Sequence, residues 1–263
     1  MTTFLLLCIS FLASSIGSIT GIGGGIIVKP VVDALGLIDT QTISFLSGCM
    51  VLSMSLVSLW RSRSAGTPIR FEKILYLALG ATVGGIVGKQ IFQWIQGTIP
   101  NQSLLGISQN AVLLTLTLAS FVYSLFKRRI QTRQLSGRIP KILCGLVLGV
   151  LSAFLGIGGG PFNLIALSYF FSMDSKTAAV NSLFIILFSQ SASLIILALT
   201  GSIPAFDTAQ LALMVFGGIS GALTGSQITR KLSLKGVDTI FLFMLCFIIL
   251  ICTISIARFS FSA

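Results

Sequence analysis

Ten apolar stretches divide the chain, at residues 4–20, 26–38, 42–60, 71–94, 103–126, 141–155, 161–173, 177–199, 206–228 and 237–257. No charge interrupts residues 90–126, 142–173 or 177–206. Apolar runs of this length predict helices that cross a membrane. Two boundaries are unusual. The first and second stretches are parted only by Gly21-Ile22-Gly23-Gly24-Gly25, and the sixth and seventh only by Gly156-Ile157-Gly158-Gly159-Gly160, the same GIGGG again. Nothing is left over for a soluble domain or a long linker. The opening MTTFLLLCISFL lacks the positive region of a signal peptide and is expected to be the first membrane segment.

The two GIGGG motifs lie 135 positions apart, and sliding the chain by that offset aligns more than glycine. Asp39 meets Asp174, Thr42 meets Thr177, Ser47 meets Ser182, Leu52 meets Leu187, and Ser58-Leu59 meets Ser193-Leu194. After a slip of two residues, Gly84-Gly85-Ile86-Val87-Gly88 meets Gly217-Gly218-Ile219-Ser220-Gly221. Apolar sequence matches itself easily, but coincident Asp, Thr and Gly positions do not arise that way. The chain is an internal duplication, with residues 1–130 and 137–263 as two repeats of one integrated membrane domain.

The charges orient the repeats. Arg61, Arg63, Arg70 and Lys73 share one loop; Lys127, Arg128, Arg129, Arg133, Arg138 and Lys141 share a second; Arg230, Lys231 and Lys235 share a third. The loops at 95–102 and 200–205 carry no positive charge. The positive-inside rule places the first three in the cytoplasm and the other two outside. The 71–94 span then runs outward and its duplicate, 206–228, runs inward, so the repeats are inverted. Parity requires 141–173 to start and end inside and 4–38 to start and end outside. Each GIGGG is therefore expected to be the tip of a broken helical hairpin, with both chain termini outside. The second arms, about 12 or 13 residues long, would span roughly 18–20 Å of a 30 Å core, which leaves the tips at depth. If each glycine segment instead crosses once, the chain has eight spans in parallel repeats, and Arg230, Lys231 and Lys235 fall outside.

Composition narrows the class. Of 263 residues, 17 are Lys or Arg and 6 are Asp or Glu, so charged residues make up 9% where a soluble domain carries about 25%. Mean hydropathy is +1.02. The net charge of +11 sits in short loops rather than in a stripe, so no nucleic-acid partner is expected. The chain has no histidine, which removes haem axial His, His-ligated metals, Ser-His-Asp triads and His proton shuttles. Cys8, Cys49, Cys144, Cys246 and Cys252 all lie in apolar runs without a CxxC and read as packing residues. No cofactor and no metal is expected.

Irregular backbone at membrane depth needs burial in protein or a cavity to line. Inverted repeats with glycine-broken segments at matching positions are the pattern of secondary transporters, which bind substrate where the repeats meet. The N–H groups freed near Ile26 and Pro161, helped by the helix dipole, suit an anion. No strand precedes either motif, which excludes a dinucleotide fingerprint, and GK[ST] is missing, which excludes a P-loop. Small residues also serve close helix packing, and that reading of the glycines stands beside the first.

The candidate binding set is Gly21, Gly23, Gly24, Gly25, Lys29 and Ser47 in the first repeat, with Gly156, Gly158, Gly159, Gly160, Asn163, Asn181, Ser182 and Gln190 in the second. Lys29 would lie roughly 14 Å from the outer end. It could balance an anion, pair with Asp33 one turn away, or snorkel outward. Lys89, near the outer end of its span, is expected to snorkel. Asp39 and Asp174 each stand in Asp-x-x-Thr and are expected to cap helices. The amides and hydroxyls, Ser189 among them, could hydrogen-bond an oxyanion or simply bond between helices.

The segments GIGGGIIVKPVVDALG, LGIGGGPFNLIAL and KTAAVNSLFIILFSQ resemble the sulfite exporter TauE/SafE family, also called TSUP transporters, over nearly the whole chain. That resemblance implies a transporter of the bacterial inner membrane for sulfite, sulfoacetate or a related small organic anion. The halves differ where Lys29-Pro30 faces Leu164-Ile165. The reading is an all-α polytopic membrane protein that exports a small anion by alternating access around the two tips, with the lipid bilayer and the anion as its partners. Export fits the energetics, because moving one anion out of a negative interior gains about 2.3 kcal/mol per 100 mV. A channel of the same architecture is the alternative. An embedded enzyme is a weaker one, for want of histidine, paired carboxylates and an activated nucleophile.

Overall fold

A computed structural model of the chain describes residues 2–64, 71–98, 102–127, 129–157 and 159–261. Ten helices are present among them: α1 (Thr2–Thr20), α2 (Gly25–Leu35), α3 (Thr40–Ser64), α4 (Phe71–Thr98), α5 (Gln102–Phe126), α6 (Arg138–Leu155), α7 (Pro161–Phe171), α8 (Ser175–Leu199), α9 (Thr208–Lys231) and α10 (Leu234–Phe261). Eight are long and apolar enough to cross a membrane. The other two, α2 and α7, have 11 residues each and follow the two GIGGG motifs. Large apolar side chains such as Phe4, Trp60, Trp94, Leu143, Phe216 and Phe243 face outward, as lipid contact requires. The chain is a multi-pass membrane protein.

The helix ends follow local chemistry. Asp39 Oδ1 accepts from the N–H groups of Gln41 and Thr42 at 3.0 and 2.8 Å, and Asp174 Oδ1 caps α8 through Lys176 and Thr177 at 3.1 and 3.0 Å. Burial works against ionisation of Asp174, but hydrogen bonds from the Thr177 hydroxyl and from both N–H groups outweigh it and hold the carboxyl below its usual range. At the C-terminus of α2, Gly36 takes the left-handed conformation at φ 62°, and Arg258 Nη1 donates to the carbonyls of Asp33 and Ala34 at 2.8 Å each.

The two halves of the chain interlock. Helix α1 packs on α9 of the other half, and its duplicate α6 packs on α4. Small residues four apart make both seams. Gly217, Gly221 and Gly225 of α9 lie against Ser10, Ser14, Ser15 and Ser18 of α1, while Gly80, Gly84 and Gly88 of α4 lie against the α6 turns that carry Gly145 and Gly149. The exchange continues elsewhere, with α2 on α10 and α7 on α5, and α3 meets its own duplicate α8.

Contact register gives the directions of the helices. Gly217 lies beside Leu7 and Ser10, and Gly225 beside Ser15 and Ser18, so α1 and α9 run parallel. Thr42 reaches the Ala205 carbonyl, and Arg230 reaches the Arg61 carbonyl, so α3 and α9 also run parallel. Ser18 bonds Ser58 across α1 and α3 at the same end.

The basic helix ends gather on one face. Arg61 of α3 meets Arg230 of α9 there. Lys127 at the end of α5 bonds Ser175 and Asp238 at the starts of α8 and α10. Arg138 of α6 lies over the Tyr76 ring of α4, 5.6 Å from its centroid.

Candidate functional site

The two GIGGG motifs touch at the centre of the molecule. Gly21 and Gly23 have φ of 76° and 85°, and Gly156 and Gly159 have φ of 65° and 147°, so each motif turns through backbone that only glycine adopts without strain. Gly25, the first residue of α2, lies so close to the second motif that a Cβ there would stand 2.6 Å from the Ile157 carbonyl oxygen. Gly23 and Gly159 both face Ile186 of α8. Gly21 abuts the backbone of Ala179, and Gly156 abuts Ser44, the residue equivalent to Ala179 in the first repeat. Gly24 caps α2 and Gly160 caps α7, and neither cap offers a side chain to the amides behind it. Gly158 lies outside the described residues.

Several of the neutral polar candidates join this centre. Ser47 Oγ donates to the Gly156 carbonyl at 3.2 Å. Asn163, fully buried one turn into α7 beside Gly159, has neither side-chain atom in a hydrogen bond. Ser182 Oγ, also fully buried, is likewise without a partner. Such groups are rare in folded proteins and each asks for a partner. Ser14 Oγ, beside Gly24, is a third, and nothing in the sequence marks it, because serine is commonplace in an apolar helix. Asn181 Nδ2 donates back to the Thr177 carbonyl, and Ser189 donates to the Ile186 carbonyl, so both serve their own helix. Gln190 lies by Gly48 in the α3–α8 seam, a turn beyond Ile186.

Lys29 neither snorkels nor closes an ion pair with Asp33. It is 3% exposed, and its Nζ donates to Gln109 Oε1 at 2.6 Å and to the Leu155 carbonyl at 2.7 Å. The carbonyl belongs to the last turn of α6, where the helix presents its negative end. Among the described residues the one ion pair within 4.0 Å is Lys127–Asp238, at 3.4 Å. Asp33 is buried beside Asn110 with neither carboxylate oxygen in hydrogen-bond geometry. Lys89 departs from its expected place as well. It is 6% exposed, with Nζ 4.8 Å from the Phe92 ring centroid. Helix α4 continues to Thr98, so Lys89 lies deeper than a span ending at residue 94 implies, and it turns inward. Gln109 and Asn110, the partners of this cluster, were legible only as two amides in a run without charges. Among the described residues no three of His, Cys, Asp and Glu gather as a metal site.

Two equivalent places in the repeats differ in volume. On the basic face, a cavity of about 440 Å³ is lined by Thr20, Leu164, Ile165, Ser168 and Leu242, with Lys127, Lys235 and Asp238 toward its mouth. The duplicates of those first five residues are Leu155, Lys29, Pro30, Asp33 and Gln109. They line a space of about 10 Å³ near the opposite face. A third cavity, of about 350 Å³, opens on the basic face between α1, α3, α8 and α9.

Residues 6–251 match the family described as Sulfite exporter TauE/SafE. The chain is also similar to the Probable membrane transporter protein YunE of Bacillus subtilis (strain 168), 25% identical over 253 residues that cover 89% of this chain and 91% of that protein. No solved structure matches it. Eight helices fit to cross a membrane, two glycine turns that meet inside the molecule, and a family match over nearly the full length lead to one assignment: the chain belongs to the sulfite exporter TauE/SafE family and is a membrane transporter.

Proposed function

We propose that the protein exports a small anion, of the sulfite or sulfonate kind, across the bacterial inner membrane by alternating access around the two GIGGG tips. The observation that carries this reading is the inequality of two duplicated places. The one on the basic face is an open cavity of about 440 Å³ and its counterpart a space of about 10 Å³. Exchanging those two states between the halves would carry a ligand from one face to the other.

The inverted arrangement has support from direction and charge. Parallel α1 and α3 require the chain between them to return to its starting side, which a hairpin at Gly21–Gly25 does and a single crossing does not. The gathering of Arg61, Lys127, Arg138, Lys176, Arg230 and Lys235 on one face favours the same topology, with that face cytoplasmic and both termini outside. At the tips, the N-termini of α2 and α7, which no side chain caps, and the unpartnered Asn163 and Ser182 supply donors and no fixed negative charge, which suits an anion held without locking it. Ser47, Gly156, Gly159 and Lys29 complete the proposed surroundings.

The test uses purified protein in liposomes loaded with radiolabelled sulfite. A carrier gives saturable efflux that speeds up when unlabelled sulfite is placed on the far side. Efflux that rises linearly with concentration and ignores far-side sulfite identifies a channel instead. In a variant whose five native cysteines are replaced, a cysteine at Ser202 is expected to label from outside and one at Ser233 from inside. Labelling of both from one side rejects the inverted topology.

A further inference from the structure

The 350 Å³ cavity on the basic face has three cations around it and no carboxylate among the described residues that line it. Arg61 comes from the end of α3, Lys176 from the start of α8 and Arg230 from the end of α9. Arg230 Nη2 donates to the backbone carbonyl of Arg61 at 2.9 Å, which ties two guanidinium-bearing residues together. Arg61 Nε is buried without a hydrogen-bond partner. Asp174, two residues before Lys176, is engaged in the α8 cap, accepting from Lys176 N–H, Thr177 N–H and the Thr177 hydroxyl at 3.1, 3.0 and 2.6 Å. Like charges held this way repel unless an anion joins them.

The inner end of the cavity has different chemistry. Ser18 Oγ is hydrogen-bonded to Ser58 Oγ at 2.9 Å and to Ser226 Oγ at 3.0 Å, a chain of hydroxyls whose protons can turn toward an acceptor. Ala179, also in the lining, is the residue whose backbone abuts Gly21. One wall of the cavity is therefore the far side of the contact that supports the first glycine turn. The volume equals that of about a dozen liquid waters at roughly 30 Å³ each, room for one compact anion with its partial hydration shell.

We propose that this cavity is a second, peripheral oxyanion site, in which Arg61, Lys176 and Arg230 hold a sulfite-, sulfonate- or phosphate-type group at the basic face beside the first glycine turn. The guanidinium groups supply forked donors to two oxygens, and Lys176 supplies a point charge. In the transport reading above, on which the physiological role of the site rests, it concentrates the anion at the face from which export begins. The same chemistry admits the phosphate of an anionic phospholipid.

The experiment measures thermal stabilisation of the purified full chain in neutral detergent by sodium sulfite and, separately, by a short-chain phosphatidylglycerol. Wild type is compared with Arg61→Gln, Lys176→Gln and Arg230→Gln. Loss of one of three converging charges is expected to raise the half-saturating concentration roughly tenfold, with Arg61→Lys intermediate. Stabilisation by sulfite that weakens in the variants supports a soluble anion as occupant. Stabilisation by the lipid alone, weakened in the same variants, identifies its phosphate as the source of the oxyanion. Stabilisation by neither probe, or to the same degree in wild type and in Lys176→Gln, overturns the site. Among the described residues the Lys176 side chain has no hydrogen-bond or ion-pair partner, so its variant remains informative if Arg61→Gln fails to fold. Efflux from liposomes separates the two proposals. Binding lost in the variants with no efflux in wild type keeps the site and rejects the transport reading; saturable efflux with unchanged binding and unchanged half-saturation does the reverse.

Discussion

Replacing Gly25 with alanine is expected to push the two glycine motifs apart and stop transport. The added Cβ would stand 2.6 Å from the Ile157 carbonyl oxygen and 2.9 Å from a Val51 methyl. Ordinary contact begins near 3.5 Å, so the backbones must separate by roughly 1 Å. The obstacle on one side is a carbonyl of a turn fixed by Gly156 at φ 65°, which has no rotamer to change. Overpacking of this kind costs about 1–3 kcal/mol, and at about 2–4 °C per kcal/mol for a chain of this size the melting midpoint should fall by several degrees. Gly48→Ala is the matched control. It lies in α3 of the same repeat, and its added Cβ would meet nothing nearer than 3.6 Å. Alanine in a helix interior gains up to about 1 kcal/mol over glycine, so this variant should be as stable as wild type or more so, and should still transport. The assay is sulfite efflux from liposomes beside the melting midpoint in detergent. Wild-type efflux and midpoint in Gly25→Ala would refute the reasoning that the motifs meet and that their contact matters. Equal loss in Gly48→Ala would refute the geometry used to choose between them.

Lys29→Met leaves Gln109 Oε1 and the Leu155 carbonyl without their donor and should destabilise the protein by about 1–3 kcal/mol; a variant whose melting midpoint equals that of wild type contradicts the buried bonds. Asn163→Val installs the residue that the first repeat has at the equivalent position, Val28. Because Asn163 has no partner to lose, its melting midpoint should hold or rise while efflux falls roughly tenfold, the scale of one lost ligand hydrogen bond; unchanged efflux removes Asn163 from the site. Asp238→Asn breaks the partly exposed pair with Lys127 and should change stability by less than about 1 kcal/mol, as exposed pairs do, in melting curves compared at low and high salt.

Much of the architecture can be read from the chain because the signals are one-dimensional. Charge-free runs mark the long helices, Asp39 and Asp174 mark two helix starts, and the repeat of GIGGG marks the breaks. Side-chain destinations are another matter. Lys29 has Asp33 one turn away in sequence, yet it bonds residues 80 and 126 positions distant. That choice depends on how α2 is rotated toward α5 and α6, and a strongly apolar helix carries little polar pattern to encode rotation. Lys89 misled for the same reason. Arg61, Lys176 and Arg230 were legible only as markers of sidedness, since three separate helix ends must converge before they form the wall of a cavity.

The exchange of partners between the halves has a consequence for biogenesis. Helix α1 presents Ser10, Ser14 and Ser18 to glycines of α9 that are made roughly 200 residues later, a wait of about 10–40 s at ordinary rates of synthesis. Throughout that interval the glycine-facing side of α1 must rest against lipid or the insertion machinery. The first half therefore enters the bilayer as an unfinished object, and assembly is completed only when the chain is nearly all made. Two separately produced halves, by the same logic, should be able to find each other in one membrane, because each holds the surface the other lacks.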